Sequence, residues 1–272
     1  MSFGLLLLVS ILAGVVGSVT GLGGGVVLIP FLTAHGVPIK QAIPLSVLSI
    51  IVLSTSAASN YVRGHLANLK VSTFLEMFAI IGALVGASIT IAAWPALLSV
   101  LCGGIFVIAA GLLWGQRMTA WQPSHAPDAF SRTLQLDGSY YDAVERRTLA
   151  YHGTRAALGG PLMLCTGAIV GLLGVGSGAL TVLIQHAVLG LPPKVAVTTS
   201  NLIIGAMASV GTCVYLEAGL IEVQLAVPIL LGVCAGAIVG SVLLVRWSNQ
   251  TIRRCFLLVI MALGIQILLR WM

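Results

Sequence analysis

Two short glycine clusters hold the clearest chemical potential in this 272-residue chain: G-L-G-G-G at 21–25 and G-V-G-S-G at 174–178. Each interrupts an uncharged run and is followed by about a dozen mostly apolar residues. A glycine costs about 1 kcal/mol against alanine inside a helix, so such clusters break one. A helix restarting near Gly25 or Gly178 presents unpaired backbone N–H groups and the positive end of its dipole. Together these bind an anion without any basic side chain. Gly23, Gly24 and Gly25, with Gly176, Ser177 and Gly178, are therefore the first candidate substrate site, and the Ser177 hydroxyl adds a donor. Close helix packing through small residues is the competing use of the same glycines. A dinucleotide fingerprint is excluded, because the spacing is wrong and no strand precedes it.

A second constellation is Ser46 and Ser49, with Thr198, Thr199, Ser200 and Asn201 later in the chain. Hydroxyls inside a membrane helix often bond back to their own backbone, whereas an amide in hydrocarbon needs a partner. The expectation is that these side chains line an anion path. A third group, Asn60, Tyr61, Arg63 and His65, is matched by Tyr215 and Glu217. It reads either as an interfacial anchor or as a vestibule that attracts anions. His186, beside Gln185, is a further candidate ligand contact; the other histidines are weaker.

No metal-ligand spacing and no HExxH stretch occurs, and no nucleophile stands with a base. The expectation is no enzyme, no metal and no cofactor. Glu76, Glu217 and Glu222 are the carboxylates outside residues 116–155, and each is expected at a segment end. Proton or sodium coupling usually needs an acid in mid-membrane, and a cation substrate would need carboxylates to offset desolvation. Cys102, Cys165, Cys213, Cys234 and Cys255 form no CxxC pair and read as buried apolar thiols.

The elements that position these residues are membrane helices. The chain is 58% hydrophobic and 7% charged, where a soluble domain carries about 25% charge. Residues 1–39, 41–62, 77–116, 156–193, 195–216 and 223–245 contain no Asp, Glu, Lys or Arg, and roughly 20 apolar residues suffice to cross the hydrocarbon core. The N-terminal run lacks the basic start and cleavage site of a signal peptide and reads as structural. Net charge is +6, but the basic residues cluster at segment ends, which suits membrane orientation rather than nucleic acid.

The chain also repeats itself. Gly14, Gly21, Gly23 and Gly25 match Gly167, Gly174, Gly176 and Gly178; one inserted residue later, Pro38, Ser46, Tyr61, Gly82 and Gly86 match Pro192, Ser200, Tyr215, Gly236 and Gly240. Such duplication marks transporter folds. The expected organisation is a first transmembrane repeat over 1–115, a polar linker over 116–155 and a second repeat over 156–272. Helical segments are expected near 3–20, 25–35, 42–61, 73–93 and 95–115, then 157–173, 178–189, 195–215, 223–245 and 250–271. Residues 142–149 suggest a short amphipathic helix. If each broken pair goes in and returns, the halves are inverted. Arg63, Lys70, Arg117, Arg132, Arg146, Arg147, Arg155, Lys194, Arg246, Arg253 and Arg254 then share one face, leaving Lys40 and Arg270 on the other. Eleven against two is the asymmetry that places the linker in the cytoplasm and both termini outside. Gly82/Gly86 and Gly236/Gly240 suit packing between the halves, with a homodimer as the alternative.

These motifs resemble the TauE/SafE family of sulfite and organosulfonate exporters. The resemblance rests on G-V-V-G-S-V-T-G-L-G-G-G-V-V-L-I-P at 14–30, G-A-I-V-G-L-L-G-V-G-S-G-A-L-T-V-L at 167–183, Ser46, Ser200 and Y-V-R-G-H-L at 61–66. It covers nearly the whole chain outside the linker. Ser177 for glycine, Leu183 for Pro30 and the long linker depart from the pattern. The resemblance implies a multi-pass protein of the bacterial inner membrane that exports sulfite or an organosulfonate such as sulfoacetate. Uptake of thiosulfate or another sulfur-containing anion, and an anion channel, are the alternatives. The residues alone imply a small anion, with the bilayer as the other partner. A cysteine at Ser2 in a cysteine-free background is expected to react with an impermeant thiol reagent from outside the cell; reaction from the inside alone contradicts the inverted reading.

Overall fold

The computed structural model describes residues 3–21, 23–63, 66–94, 97, 98, 100, 101, 129–142, 147–174 and 178–247. Nearly all are helical. The first half contributes α1 (Phe3–Thr20), α2 (Gly25–Ala34), α3 (Ile39–Arg63) and α4 (Leu69–Ala92). The linker holds a short α5 (Ala129–Thr133) and an antiparallel hairpin of β1 (Gly138–Asp142) and β2 (Arg147–Tyr151). The second half contributes α6 (Ala156–Leu173), α7 (Gly178–Leu183), α8 (Pro193–Glu217) and α9 (Val223–Arg246). Six of these helices, α1, α3, α4, α6, α8 and α9, are long and apolar enough to cross a membrane. The expected segment 250–271, and most of 95–115, lie outside the described residues.

The fold is apolar on the outside and polar in the middle. Leu5, Leu8 and Leu12 of α1, Met77, Ile81 and Leu84 of α4, and Leu231 and Ile238 of α9 are exposed, while Thr198, Thr199, Ser200 and Asn201 of α8 are wholly buried. A water-soluble protein reverses that order; a lipid solvent demands it.

Glycines weld the halves together. Leu7, Ile11 and Val15 of α1 meet Gly232, Gly236 and Gly240 of α9 in sequence, so these helices run the same way. Gly167 and Gly171 of α6 meet Ala79 and Ala83 of α4, which also run the same way. At each of these glycines an added Cβ would lie within 3.0 Å of backbone on the facing helix. The small-residue pairs thus serve contacts between the halves, the role expected ahead of a dimer. Ser56 and Asn60 of α3 bond Cys234 and Ser241 of α9, making α3 parallel to α9 and hence to α1. α3 therefore starts at the same end of the bundle as α1. Thr199 of α8 meets Asn68 just before α4, and Tyr215 meets Gly171, which lies beside Ala83 of α4, so α8 runs parallel to α4 and hence to α6. Ser54 meets Gly205 and Val47 meets Gly211, so α3 and α8 run in opposite directions.

The one-residue insertion between the repeats has a physical form. Past Leu183 the second short helix continues as a π-helical turn, Ile184–Val188. A π turn is how a helix absorbs an extra residue without ending.

Three expectations are corrected. The helix suggested for 142–149 is absent: Asp142 closes β1 and Arg147–Leu149 open β2. The alternating side chains of this hairpin bury Tyr140 and Tyr151 against the helical core with Leu136. Second, α4 starts at Leu69 rather than near 73, because the Asn68 side chain caps it by accepting from the Val71 N–H (3.1 Å). Glu76 therefore lies about 10 Å into the helix instead of at its end, accepting from the Ser72 hydroxyl at 2.7 Å. Third, the described cysteines are not buried thiols: Cys165 and Cys213 are exposed and Cys234 is half-buried.

Replacing Gly167 with leucine is expected to destabilise the protein by at least 1–3 kcal/mol, the order of an overpacked core. Gly4→Ala, where nothing lies within 4 Å, should be neutral. Thermal unfolding in detergent reads both.

Candidate functional site

The two breaks are left-handed turns. Gly21 (φ 72°) and Gly23 (φ 78°) turn the chain between α1 and α2, and Gly174 (φ 62°) turns it after α6. L side chains adopt that region at a cost, which selects glycine. Gly17 of α1 lies against the Gly23–Gly24 peptide and Leu53, with no room for a Cβ. Among the candidate residues, Gly23, Gly24, Gly25 and Gly178 are all buried. Gly176 and Ser177 lie outside the described residues.

The breaks belong to one another. The Ser46 hydroxyl of α3 donates to the Gly174 carbonyl at 2.7 Å. Its repeat mate Ser200 of α8 donates to the Gly21 carbonyl at 3.5 Å. Each half thus lends its serine to the other half's break. Gly21 also packs on Val182 of α7 and Val197 of α8, and Gly174 packs on Ile43 of α3. A second matched pair acts within each half: Tyr61 donates to the Ser18 carbonyl at 2.9 Å, and Tyr215 donates to the Gly171 carbonyl.

The remaining polar candidates sit around this frame. Asn201 donates from Nδ2 to the carbonyls of Ser18 and Val197, both at 3.1 Å. Thr199 accepts from the Asn68 N–H at 3.0 Å, and Thr198 donates to the Leu66 carbonyl at 2.9 Å. Ser49 bonds back to Ser46 at 2.7 Å; its hydroxyl faces the position where a Cβ on Gly24 would project. Three of the vestibule candidates are held by protein partners. Tyr61 and Tyr215 are wholly buried on main-chain carbonyls, and Asn60 ties α3 to Ser241 of α9 at 2.7 Å. Arg63 closes α3; its side chain and His65 are outside the described residues. His186 directs Nδ1 to the Leu191 carbonyl at 2.8 Å.

Sequence reasoning missed two participants. Asn68 links Thr199 to the linker: its amide donates to the Tyr151 hydroxyl at 3.2 Å. Burial pushes the Tyr151 phenol above its usual range, with the Asn68 bond opposing, so it stays neutral at physiological pH. Gln185 is wholly buried in the π turn, and neither of its amide atoms has a partner among the described residues. An N-cap pattern before Val71 was the available signal for Asn68. For Gln185 the signal was a lone amide within an uncharged run.

Paired helix breaks inside a bundle of spanning helices define a multi-pass membrane protein of the transporter type. Comparison gives the family: the description "Sulfite exporter TauE/SafE" matches residues 6–267, and the chain belongs to that family. It is 29% identical to the probable membrane transporter protein YunE of Bacillus subtilis (strain 168), covering 98% of each chain. It is 26% identical to the probable membrane transporter protein YdhB of the same organism, covering 87% of this chain and 88% of that one. No solved structure matches.

Ser46→Ala and Ser200→Ala each strand a buried carbonyl, which costs about 1–3 kcal/mol. Ser46→Ala should be the more damaging, since its bond is the shorter. Ser49→Ala, losing a bond within its own helix, should stay near wild type in denaturant unfolding.

Proposed function

We propose that this protein is a secondary transporter that exports sulfite or an organosulfonate such as sulfoacetate from the cytoplasm. The binding site is where the two glycine breaks meet. The observation that carries this reading is the reciprocal bonding of Ser46 to Gly174 and Ser200 to Gly21, which joins the breaks. At that junction α2 begins at Gly25 and α7 at Gly178 with its π continuation, and the first N–H groups of a helix have no partner within it. Gly23, Gly24, Gly25, Gly176, Ser177 and Gly178 supply main-chain donors. Ser46, Ser200 and Asn201 hold the breaks and the turn before them, Ser49 and Thr199 line the same junction, and Arg63 guards the approach. The family description supports the sulfur-containing anion.

Opposed directions of α3 and α8, with re-entrant pairs in each half, support inverted repeats, a cytoplasmic linker and outer termini in a bacterial inner membrane. Alternating access then follows from part of each repeat moving against the rest. Uptake of thiosulfate is the second reading. Titration of the purified protein should give saturable heat with sulfite, sulfoacetate or thiosulfate and none with sodium or ammonium. Gly25→Leu and Gly178→Leu should insert yet lose transport. Full activity in both, or heat with the cations alone, contradicts the reading.

A further inference from the structure

Every buried side-chain polar atom without a hydrogen-bond partner among the described residues lies in the second half: Gln185 Nε2 and Oε1, Asn201 Oδ1 and Thr212 Oγ1. The repeat shows what the fold itself requires at these places. Asn201 corresponds to Val47, Thr212 to Ala58, and Gln185 to Phe31 or Leu32, depending on where the inserted residue is placed. The first half builds the same helices with apolar residues. The polar atoms therefore answer to something other than folding.

Asn201 is the one at the junction of the breaks. Its orientation is fixed chemically. Nδ2 faces two carbonyl oxygens, those of Ser18 and Val197, and carbonyls only accept. The amide cannot be flipped without setting three acceptors together. Oδ1 is thus a wholly buried acceptor in need of a donor. The Ser18 carbonyl, whose Tyr61 bond is independent of Asn201, keeps a donor if Asn201 is replaced.

We propose that Asn201 Oδ1 selects substrates that are monoanions bearing a donor hydrogen: an oxyanion group for the main-chain N–H donors of the break, and one O–H or N–H for Asn201. This rests on the anion site proposed above and deepens it. A fully deprotonated oxyanion offers only acceptors and would meet the carbonyl oxygen with repulsion. The hydrogen form of sulfite or an amino-bearing sulfonate satisfies both sides, whereas sulfoacetate and thiosulfate, dianions without a donor hydrogen at neutral pH, satisfy only the N–H side and should bind more weakly.

Sulfamate and methanesulfonate test this directly. Both are tetrahedral monoanions with the same SO3 group, and they differ by NH2 against CH3. Wild-type protein in nanodiscs should bind sulfamate at least about tenfold more tightly, the scale of one buried acceptor left unpaired. Asn201→Val, which installs the residue of the first half, should bring the ratio of the two affinities near one, whatever its effect on methanesulfonate binding itself. Asn201→Leu, closer in shape, gives the same comparison if the valine variant folds poorly. Equal wild-type affinities, as a fixed water on Asn201 would produce, overturn the inference. So does a preference that persists in both variants. If neither anion binds, nor any of the sulfur oxyanions, the anion site itself falls and this inference with it. If anions bind without the preference, only the role of Asn201 is lost.

Discussion

A helix interrupted inside hydrocarbon frees main-chain carbonyls and N–H groups that lipid cannot satisfy. Everything else in this protein is arranged around that constraint. Each break has its carbonyl met by a serine from the opposite half, Ser46 on Gly174 and Ser200 on Gly21. Each also has the preceding turn met by a tyrosine of its own half, Tyr61 on Ser18 and Tyr215 on Gly171. Neither half can satisfy its own break alone. The matched serines of the two halves complete each other's breaks.

The glycine seams follow from the same need. For the serines to reach across, α3 and α8 must approach closely, and Gly205 makes room for Ser54 where they cross. The outer helices hold that crossing together, α1 on α9 and α4 on α6, through glycines that admit backbone rather than side chain. Two tight parallel pairs flank a polar centre made of α3, α8 and the short helices. On the proposed reading, motion between access states falls on the short helices and their breaks, since the seams leave no slack. The linker hairpin adds a tie to the same centre, through Tyr151, Asn68 and Thr199.

Much of this was legible in the sequence. Hydropathy and glycine placement gave eight described helices to within a few residues, and Gly21–Gly25 and Gly174–Gly178 announced the breaks. The start of α4 was hidden because Lys70 and Glu76 dilute its hydropathy, while the signal lay in Asn68 as a cap. The hairpin was hidden because Tyr140 and Tyr151 become buried only through pairing with each other's strands and packing on the helices. The matched serines were recognisable as important, but not their partners. Residue type tells that a hydroxyl will donate; only the fold tells that it donates to a glycine carbonyl of the other half. The burial of Tyr61 and Tyr215 was hidden for the same reason. Each stands near a helix end in sequence, yet the helix end is buried against the last turn before a break.

The central claim is that the two breaks form one anion site. The most direct measurement is anomalous scattering from crystals of the protein grown with selenite, a heavier analogue of sulfite. The account predicts a selenium peak between the main chain of Gly23–Gly25 and that of Gly178, within hydrogen-bond distance of backbone nitrogen. A peak confined to the linker face, or none at the breaks under conditions where selenite is transported, would contradict it.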